Sequence, residues 1–296
     1  MSNDLVLNSC YRRVRSLGAG GTGDVYVAMQ LNLERAVVVK EVRDLSRVFP
    51  HLATRDVLAE LQAEICKAAR LSHPNIVPVL EADVSQAPPC IVSEFVEGQS
   101  LRQTLESNGA PPPDQAIQIF LQLLHGLRHA HNLGVFHRGL KPENVIIDGA
   151  GNARITDFGI AFLHTQAAAP PLHIDTGSIA YLAPEVLQDP RHVDAKVDLF
   201  AAGILLYELL SGRIPGRRCR PPSSLHPELP PGIDTIFDRL TLDDPAGRYQ
   251  SAEEVLEDCD YSDVKTVSAG GARAGFFLSP RREVTAQAEE KQAASN

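Results

Sequence analysis

The sequence has no apolar run long enough to cross a membrane. A spanning helix needs about 18 or more consecutive apolar residues, but the longest apolar segment, Val197 to Leu210, is interrupted by Asp198 and Glu208. The sequence also lacks the clustered lysines and arginines of a nucleic-acid-binding face, and its formal net charge is −9. We therefore expect no membrane segment and no nucleic-acid partner.

Cysteine is scarce and irregularly placed. The cysteines occur singly, without the paired spacing of a metal site, at Cys10, Cys66, Cys90, Cys219 and Cys259. An odd number of isolated cysteines in a sequence without a recognisable signal peptide is typical of reduced thiols, which predicts a cytoplasmic location.

Repeats at solenoid periods are also lacking. The 296 residues suit one large domain or two small ones.

The first third of the chain alternates short β-type runs with one helical segment. Four runs rich in valine and isoleucine are predicted to be half-buried strands: Val25–Val27, Ala36–Val39, Ile76–Leu80 and Cys90–Phe95. Between the second and third runs, apolar residues recur at three- and four-residue steps, with Glu60 and Glu64 on a neighbouring helical face. The four β-type runs and the helical segment together predict that this part of the chain forms a small sheet with one helix.

The second half of the chain has helical patterns. An apolar stripe over residues 117–127 predicts a helix that ends near Gly134. The segment Val197–Leu210 is apolar on nearly every side, which predicts a buried helix. Ser251 and Glu254 have the spacing of a capping box and predict a last short helix.

Both ends of the chain are predicted to lie outside the folded domain. Residues 1–10 are interpreted as an N-terminal extension. Residues 260–296 are polar and aperiodic, so they cannot bury enough surface to offset their ordering entropy, and we predict a mostly disordered tail. An alternative for Phe276–Leu278 is that these three apolar residues dock on the domain.

Five motifs carry the chemical signal. The first is Gly18-x-Gly20-x-x-Gly23, in which missing side chains let backbone N–H groups approach phosphates, although alone it fits an ordinary hairpin. The others are Val37-Val38-Val39-Lys40, His137-Arg138-Gly139-Leu140-Lys141-Pro142-Glu143-Asn144, Asp157-Phe158-Gly159 and Ala183-Pro184-Glu185. In this order they resemble the motifs of the eukaryotic-type Ser/Thr protein kinases, including the bacterial members, over roughly Tyr11 to Asp258.

The resemblance implies an α+β, two-lobed protein-kinase fold. A small lobe, residues 11–96, would be rich in β-structure with one helix. A larger lobe, residues 97–259, would be mainly helical.

The resemblance also implies an ATP site. Lys40 would hold the α- and β-phosphates below the glycine loop, and Glu64 would fix Lys40. Glu60, one turn away, is the alternative partner, and Glu64 could instead be a solvated surface residue. The other residues predicted to surround the nucleotide are Gly18, Gly20, Gly23, Val25, Val38, Glu94, Val96 and Ile146.

Two features of the implied base pocket are unusual. Backbone groups of Glu94 and Val96 would bind the adenine edge, with Ser93 as a small residue at the back of the pocket. Val38 replaces a more usual alanine and makes one wall bulkier.

The ATP would bind with Mg²⁺. Asn144 and Asp157 stand at the family's spacing as metal ligands, and Lys141 stands where the family steadies the transferring phosphate. A lone Asp-Phe-Gly is common by chance, so the metal prediction depends on the other motifs.

Gly139 stands where these kinases keep the catalytic aspartate. It has no carboxylate to orient a substrate hydroxyl or accept its proton, and neither neighbour can replace it. Loss of a positioned base typically costs ~10²–10⁴-fold in rate, yet phosphoryl transfer depends mainly on positioning and electrostatics, so a residual rate is compatible with this loss.

Two functions fit these residues. The first is a pseudokinase that binds ATP and Mg²⁺ and regulates or scaffolds a protein partner of unknown identity. The alternative is a Ser/Thr kinase with low or specialised activity. Another chemistry on ATP has no sequence feature in its favour.

A second departure lies between Gly212 and Ile233, where the family has a helix that docks substrates. The segment contains six prolines, which we predict to exclude a helix. It also carries four arginines, which favour either an acidic partner or simply a solvated loop: Arg213, Arg217, Arg218 and Arg220.

Other residues are interpreted as architectural. Glu185 would pair with Arg248. Asp198 would accept backbone hydrogen bonds from residues 137–144, which correspond to the catalytic loop of these kinases and are called by that name below. Two hydroxyls, Thr176 and Ser178, would either bind Arg138 when phosphorylated or serve as unmodified turn residues.

Overall fold

The protein is described by a computed structural model. It describes residues 5–6, 10–20, 23–42, 53–160, 176–188, 193–216, 218–229 and 232–259. Most of the predicted N-terminal extension and the whole predicted tail lie outside these residues. Within them the chain forms a small lobe built on an antiparallel sheet and a larger, mainly helical lobe.

The small lobe is a six-stranded sheet with one helix. Its strand order is β1-β2-β3-β4-β6-β5, and every neighbouring pair is antiparallel. The elements are β1 (Leu5–Val6), β2 (Tyr11–Gly20), β3 (Gly23–Gln30), β4 (Arg35–Val42), α1 (Thr54–Ala68), β5 (Val79–Asp83) and β6 (Cys90–Glu94). Burial along β4 alternates, with Val37 and Val39 in the core beside Tyr26, as a half-buried strand requires.

The strand predicted over Ile76–Leu80 is wrong at its start, because β5 begins at Val79. Pro78 has no N–H to donate to a neighbouring strand, although its carbonyl accepts from Glu94 N at 3.1 Å. Ile76 instead forms an isolated parallel bridge to Ile155, which joins the small lobe to the large one.

The large lobe combines a small sheet with several helices. Its elements are β7 (Gly98–Ser100), α2 (Leu101–Asn108), α3 (Pro113–Asn132), a 3₁₀ turn (Pro142–Asn144), β8 (Val145–Asp148), β9 (Ala153–Ile155), α4 (Thr176–Ile179), α5 (Pro184–Gln188), α6 (Ala195–Ser211), α7 (Pro222–Leu225), α8 (Gly232–Leu240) and α9 (Ala252–Asp258). Sequence patterns did not predict β7 and α2, since both are short and largely polar. Of the helices that the structure describes, none has the length and apolarity to cross a membrane.

The predicted buried helix is confirmed in α6. Every residue from Val197 to Leu210 is buried. The helix ends at Gly212, which adopts the left-handed conformation (φ 68°) that glycine tolerates best, and its N–H donates to Glu208 O at 2.7 Å. The helix predicted at Ser251 is also confirmed, since its hydroxyl accepts from Glu254 N at 3.2 Å and opens α9.

The prediction that prolines exclude a helix between Gly212 and Ile233 is wrong over four residues. Helix α7 makes a single turn there. Pro222 occupies its first position, where a missing N–H costs nothing because that group has no partner within the helix. Over the rest of this segment, the described residues before Gly232 are not helical.

Gly203 marks the contact between α6 and α8, and we expect Gly203→Ala to destabilise the fold by about 1–3 kcal/mol through overpacking. A methyl group there would lie 2.7 Å from Leu240 Cβ and 2.8 Å from Thr241 Cγ2. Gly149→Ala is the matched control, because no atom lies within 4 Å of its added methyl group. Urea unfolding followed by circular dichroism measures both changes, and an equal effect of the two would contradict this account.

Two histidines hold the loop between α1 and Ile76. His129 Nε2 accepts from Ser72 N at 3.3 Å, and His73 Nδ1 accepts from Asn75 N at 3.1 Å. The two rings stack with centroids 5.3 Å apart. An imidazole nitrogen that accepts a hydrogen bond carries no proton, so this loop needs both rings in their neutral form.

We therefore expect the free energy of unfolding to fall as the pH drops below the ordinary histidine pKa of 6.5. Burial is the main cause that lowers the pKa of His73, and repulsion from Arg128, and from His129 and His125 whenever these are protonated, lowers it further. Burial also lowers the pKa of His125. Because the unfolded chain then binds more protons than the folded one, stability is complete above this pH and is lost below it. Urea unfolding at about pH 7.5 and about pH 5.5 measures the difference, which His73→Gln/His125→Gln is expected to reduce.

Candidate nucleotide site and catalytic loop

A cavity of about 400 Å³ lies between the two lobes. Seven of the residues predicted to bind ATP or metal line it: Gly18, Val25, Val38, Glu94, Val96, Ile146 and Asp157. They come from strands of both lobes, from the residues between β6 and β7, and from the segment after β9. Their gathering in one cavity supports the predicted site, and the individual binding roles stay predictions.

Successive side chains of β4 point to opposite faces of the sheet, so the strand contributes residues to both the core and the cavity. Val37 and Val39 point into the core, whereas Val38 lines the cavity. Lys40, two residues further on, is on the same face as Val38 and reaches Asp157, which also lines the cavity.

The back of the cavity is formed by β6 and the residues after it. Ser93 lies opposite Val38 in the sheet register and lines the cavity. The Glu94 carboxylate forms an ion pair with Arg154 at 2.6 Å, and the Glu94 N–H donates a hydrogen bond to Pro78 O. These contacts fix the backbone that the sequence predicts to meet the adenine edge.

The glycine loop is a hairpin between β2 and β3. Gly18 lines the cavity, and Gly20 pairs with Gly23 at the end of the hairpin. Residues 21–22 at its tip lie outside the described residues.

Asp198, on α6, holds the catalytic loop as predicted. Its carboxylate accepts from His137 N at 2.8 Å and from Arg138 N at 2.7 Å, and it also contacts His131 Nε2 at 2.8 Å. Complete burial alone would raise the pKa of Asp198, but the hydrogen bonds and positive charge around it outweigh burial and lower that pKa. The loop is therefore fixed by a buried carboxylate, and Arg138 is held in the left-handed conformation (φ 62°).

His137 is fixed in one neutral form. Its Nε2 lies 2.9 Å from Thr156 O and must donate, while its Nδ1 accepts from Gly139 N at 3.2 Å. Burial lowers its pKa, and its ring meets Phe158 edge-on with centroids 4.8 Å apart. The histidine therefore joins the catalytic loop to the predicted metal-binding segment.

Gly139 sits within this fixed loop. Its N–H is bound by His137 and its carbonyl accepts from Asn144 Nδ2 at 2.8 Å. Asn144 O in turn accepts from Thr156 N at 2.9 Å, which places the two predicted metal ligands, Asn144 and Asp157, on hydrogen-bonded neighbouring segments. The loop thus keeps an ordered backbone at the position that lacks the carboxylate.

Lys40 pairs with Asp157 in this structure, with Nζ 2.8 Å from Oδ2. The predicted partner, Glu64, is instead held by Lys67 at 2.6 Å, one turn further along α1, and lies 3.9 Å from an Arg138 nitrogen. Lys67 and Arg138 thus supply the positive charge around the buried Glu64 carboxylate. The predicted Lys40–Glu64 pair is therefore not the arrangement seen here.

Gly159 brings the segment after β9 into contact with α1. A side chain at Gly159 would place its Cβ 2.9 Å from Glu64 O and 3.0 Å from Ala68 Cβ. Gly159 also has a left-handed φ of 79°, which other residues rarely adopt. Both facts require glycine at this position.

Lys141 contacts helix α4. Its Nζ donates to Ser178 Oγ at 3.1 Å, so Ser178 is engaged by a lysine of the catalytic loop. Arg138, its predicted partner, is turned towards Glu64. For Thr176, the structure describes the backbone alone.

An arginine that the sequence analysis missed connects several parts of the large lobe. Arg102, on α2, lies 2.9 Å from Glu143 and 2.7 Å from Glu208, and it donates to Tyr181 Oη at 3.0 Å. Tyr181 Oη also donates to Glu208. Glu143 lines the cavity, so this network supports one of its walls.

A usable signal for α2 was present in the sequence. Ser100 and Gln103 have the spacing of a capping box and form one, with bonds of 3.2 and 3.0 Å. Both residues line the cavity.

The predicted pair of Glu185 and Arg248 is confirmed. Two parallel hydrogen bonds of 2.6 and 2.8 Å join the guanidinium to the carboxylate, and the Arg248 side chain is fully buried. Its remaining nitrogen–hydrogen groups donate to three backbone carbonyls. This pair joins α5 to the chain before α9.

The described residues contain no group of three or more histidine, cysteine, aspartate or glutamate side chains arranged for a metal ion. The predicted ligands, one amide and one carboxylate, suit Mg²⁺, which is typically held by one or two carboxylates together with phosphate oxygens. The chemistry of this pair therefore fits a metal that arrives with a nucleotide.

Comparison with known proteins agrees with this geometry. The Protein kinase domain family matches residues 11–243. The chain is 32% identical over 262 residues to serine/threonine-protein kinase PrkC of Bacillus subtilis (strain 168), covering 84% of this chain and 40% of the relative. It is 33% identical over 264 residues to the probable serine/threonine-protein kinase PknB of Lactococcus lactis subsp. lactis (strain IL1403), covering 84% and 41%.

A third relative is serine/threonine-protein kinase pkn2 of Myxococcus xanthus, with 34% identity over 277 residues, 86% of this chain and 32% of the relative. The chain thus spans about two fifths or less of the length of these curated relatives. From its motifs, its two lobes and this match, the chain belongs to the protein kinase domain family.

Proposed function

We propose that this chain is a pseudokinase that binds ATP with Mg²⁺ and uses its nucleotide-bound shape to regulate or scaffold a protein partner. The observation that carries the proposal is Gly139, which lies in an ordered catalytic loop at the position where a carboxylate is needed as base. A cytoplasmic location, predicted from the isolated cysteines, is part of this proposal.

Nucleotide binding is supported by the cavity and its surroundings. Glu94 and Val96, which are predicted to bind the adenine edge, and apolar side chains of both lobes line the space, as is typical of ligand pockets. Asn144 and Asp157 would hold the metal, Lys40 would bind phosphate oxygens, and Mg²⁺ would supply charge neutralisation between them. The sequence keeps all three residues while it lacks the base.

A change of shape is supported by the pairing of Lys40. In the described state Lys40 binds Asp157 and Glu64 binds Lys67. A nucleotide that offers phosphates to Lys40 would compete with this pairing and favour an arrangement in which Lys40 can meet Glu64. A ligand shifts such an equilibrium by its difference in affinity for the two states.

Isothermal titration calorimetry with ATP and Mg²⁺ tests the binding step. Wild type is expected to bind, Asp157→Asn is expected to bind weakly, and Asp243→Asn serves as a control because Asp243 is an exposed carboxylate outside the cavity. Absence of binding by wild type at millimolar nucleotide would overturn the proposal.

The second candidate is a Ser/Thr kinase with low or specialised activity. It is favoured by the contact of Lys141 with Ser178, which brings a hydroxyl to the catalytic loop, and by the relatives, which are named as Ser/Thr kinases. Incubation with γ-labelled ATP and Mg²⁺ separates the candidates. Transfer that disappears in Asp157→Ala would establish a weak kinase, and transfer no higher than in that variant would favour the pseudokinase.

A further inference from the structure

We propose that Arg213, Arg218 and Arg220, which lie between α6 and α7 and are together called the arginine loop, form a docking surface for an acidic peptide segment of the protein partner. This inference rests on the partner-binding part of the proposed function. The loop directly follows α6 and precedes α7.

The arginines of this loop differ from the other described arginines of the large lobe. Arg102, Arg128, Arg138, Arg154, Arg239 and Arg248 each have a carboxylate within 4.0 Å. Arg213, Arg218 and Arg220 are exposed, and among the described residues they have no carboxylate within that distance. These three cations are thus not neutralised by the described parts of their own chain.

The exposed arginines alternate with residues that pack against the core. Ile214 and Cys219 are partly buried against the core of the large lobe, and each lies beside one or two of the exposed arginines. When the apolar neighbours face the core, the arginines between them are directed to solvent. The loop therefore presents charge from an anchored backbone.

Hydrogen bonds and prolines restrict the loop further. Arg213 N donates to Ser211 Oγ at 3.1 Å, and Cys219 N donates to Gly216 O at 3.1 Å. Pro215 and Pro221 restrict the backbone at the two ends. Described residues whose backbone is already held by such contacts lose less conformational entropy on binding.

Charge complementarity identifies the partner's chemistry. The chain carries a formal net charge of −9, so the chain as a whole repels an acidic segment, whereas the three exposed arginines attract one. A duplex or single-stranded nucleic acid would need a longer basic stripe, which the net charge argues against. Aspartate- and glutamate-rich peptide is therefore the occupant that fits.

Fluorescence anisotropy with a labelled glutamate decapeptide tests the surface. Arg213→Ala/Arg218→Ala/Arg220→Ala is expected to lower the affinity by about tenfold or more at low ionic strength, and added salt is expected to weaken wild-type binding because exposed ion pairs are screened. The matched control is Arg12→Ala/Arg55→Ala/Arg70→Ala, which removes the same charge from exposed positions of the small lobe. Equal losses in both triple variants, or no loss in the first, would overturn the proposal.

Two further arms complete the test. A single-stranded DNA of equal charge that binds more tightly than the peptide, and loses affinity in the same variant, would overturn the choice of a peptide.

Calorimetry with ATP and Mg²⁺ on the same proteins separates this inference from the proposed function. Loss of peptide binding in the loop variant alone supports the surface even when no protein binds ATP, and unchanged peptide binding overturns it even when ATP binds.

Discussion

Gly139→Asp is expected to raise the rate of phosphoryl transfer by about 10²–10⁴-fold over the wild-type chain, the range that a positioned general base supplies. The backbone accepts the change, because the φ of Gly139 is outside the left-handed region that favours glycine. The hydrogen bonds from Asn144 and to His137 involve backbone atoms of residue 139 and do not depend on its side chain. Aspartate would therefore enter a loop that is already ordered.

The measurement is transfer of labelled phosphate from ATP to the protein itself and to a generic acceptor. Gly139→Asn is the matched control, since it has the same size without a carboxylate, and Gly139→Asp/Asp157→Ala should return the rate to background. ATP affinity should change little in Gly139→Asp. A rate no higher than that of Gly139→Asn would show that the chain lacks more than the base.

Arg248→Ala is expected to lower the free energy of unfolding by about 3–5 kcal/mol, the cost of breaking a buried ion pair by removing one partner. The side chain is fully buried, and its loss would leave both the Glu185 carboxylate and three backbone carbonyls without their donors. Urea unfolding followed by circular dichroism measures the effect. Arg248→Lys, which keeps the charge without the planar fork, should lie between wild type and alanine.

Arg128→Ala is the control for this experiment. It removes an arginine of the same lobe whose side chain is 36% exposed and whose partner, Glu253, is 53% exposed. Exposed pairs contribute about 0–1 kcal/mol, so a small effect is expected. Similar losses in the two alanine variants would show that the Glu185–Arg248 pair does not hold α5 in place.

The architecture was predictable where a local pattern forces it. A segment as apolar as Val197–Leu210 can lie nowhere except in a core, and α6 does so. Asp198 within that segment needs buried partners, which the backbone of the catalytic loop supplies. The resemblance to protein kinases supplied the two lobes and the order of the site residues.

Pairings that depend on the relative placement of distant elements were less predictable. Lys40 and Asp157 are far apart in sequence, and spacing alone cannot show whether Lys40 meets Asp157 or Glu64. That choice depends on where α1 sits, and on Lys67, which neutralises Glu64 within the same helix. Arg102 has no motif of its own, so its network with Glu208 was visible only after the helices were packed.

Gly159 leaves no free space between the segment that contains Asp157 and the end of α1. Two bodies in such contact cannot slide independently, because interiors packed at this density transmit displacement instead of absorbing it. A shift of Asp157 would therefore be transmitted to α1, and the exposed side of that helix, with Lys67, would move with it at the surface. A protein bound to the exposed side of α1 would then respond to occupancy of the cavity without contacting the cavity itself.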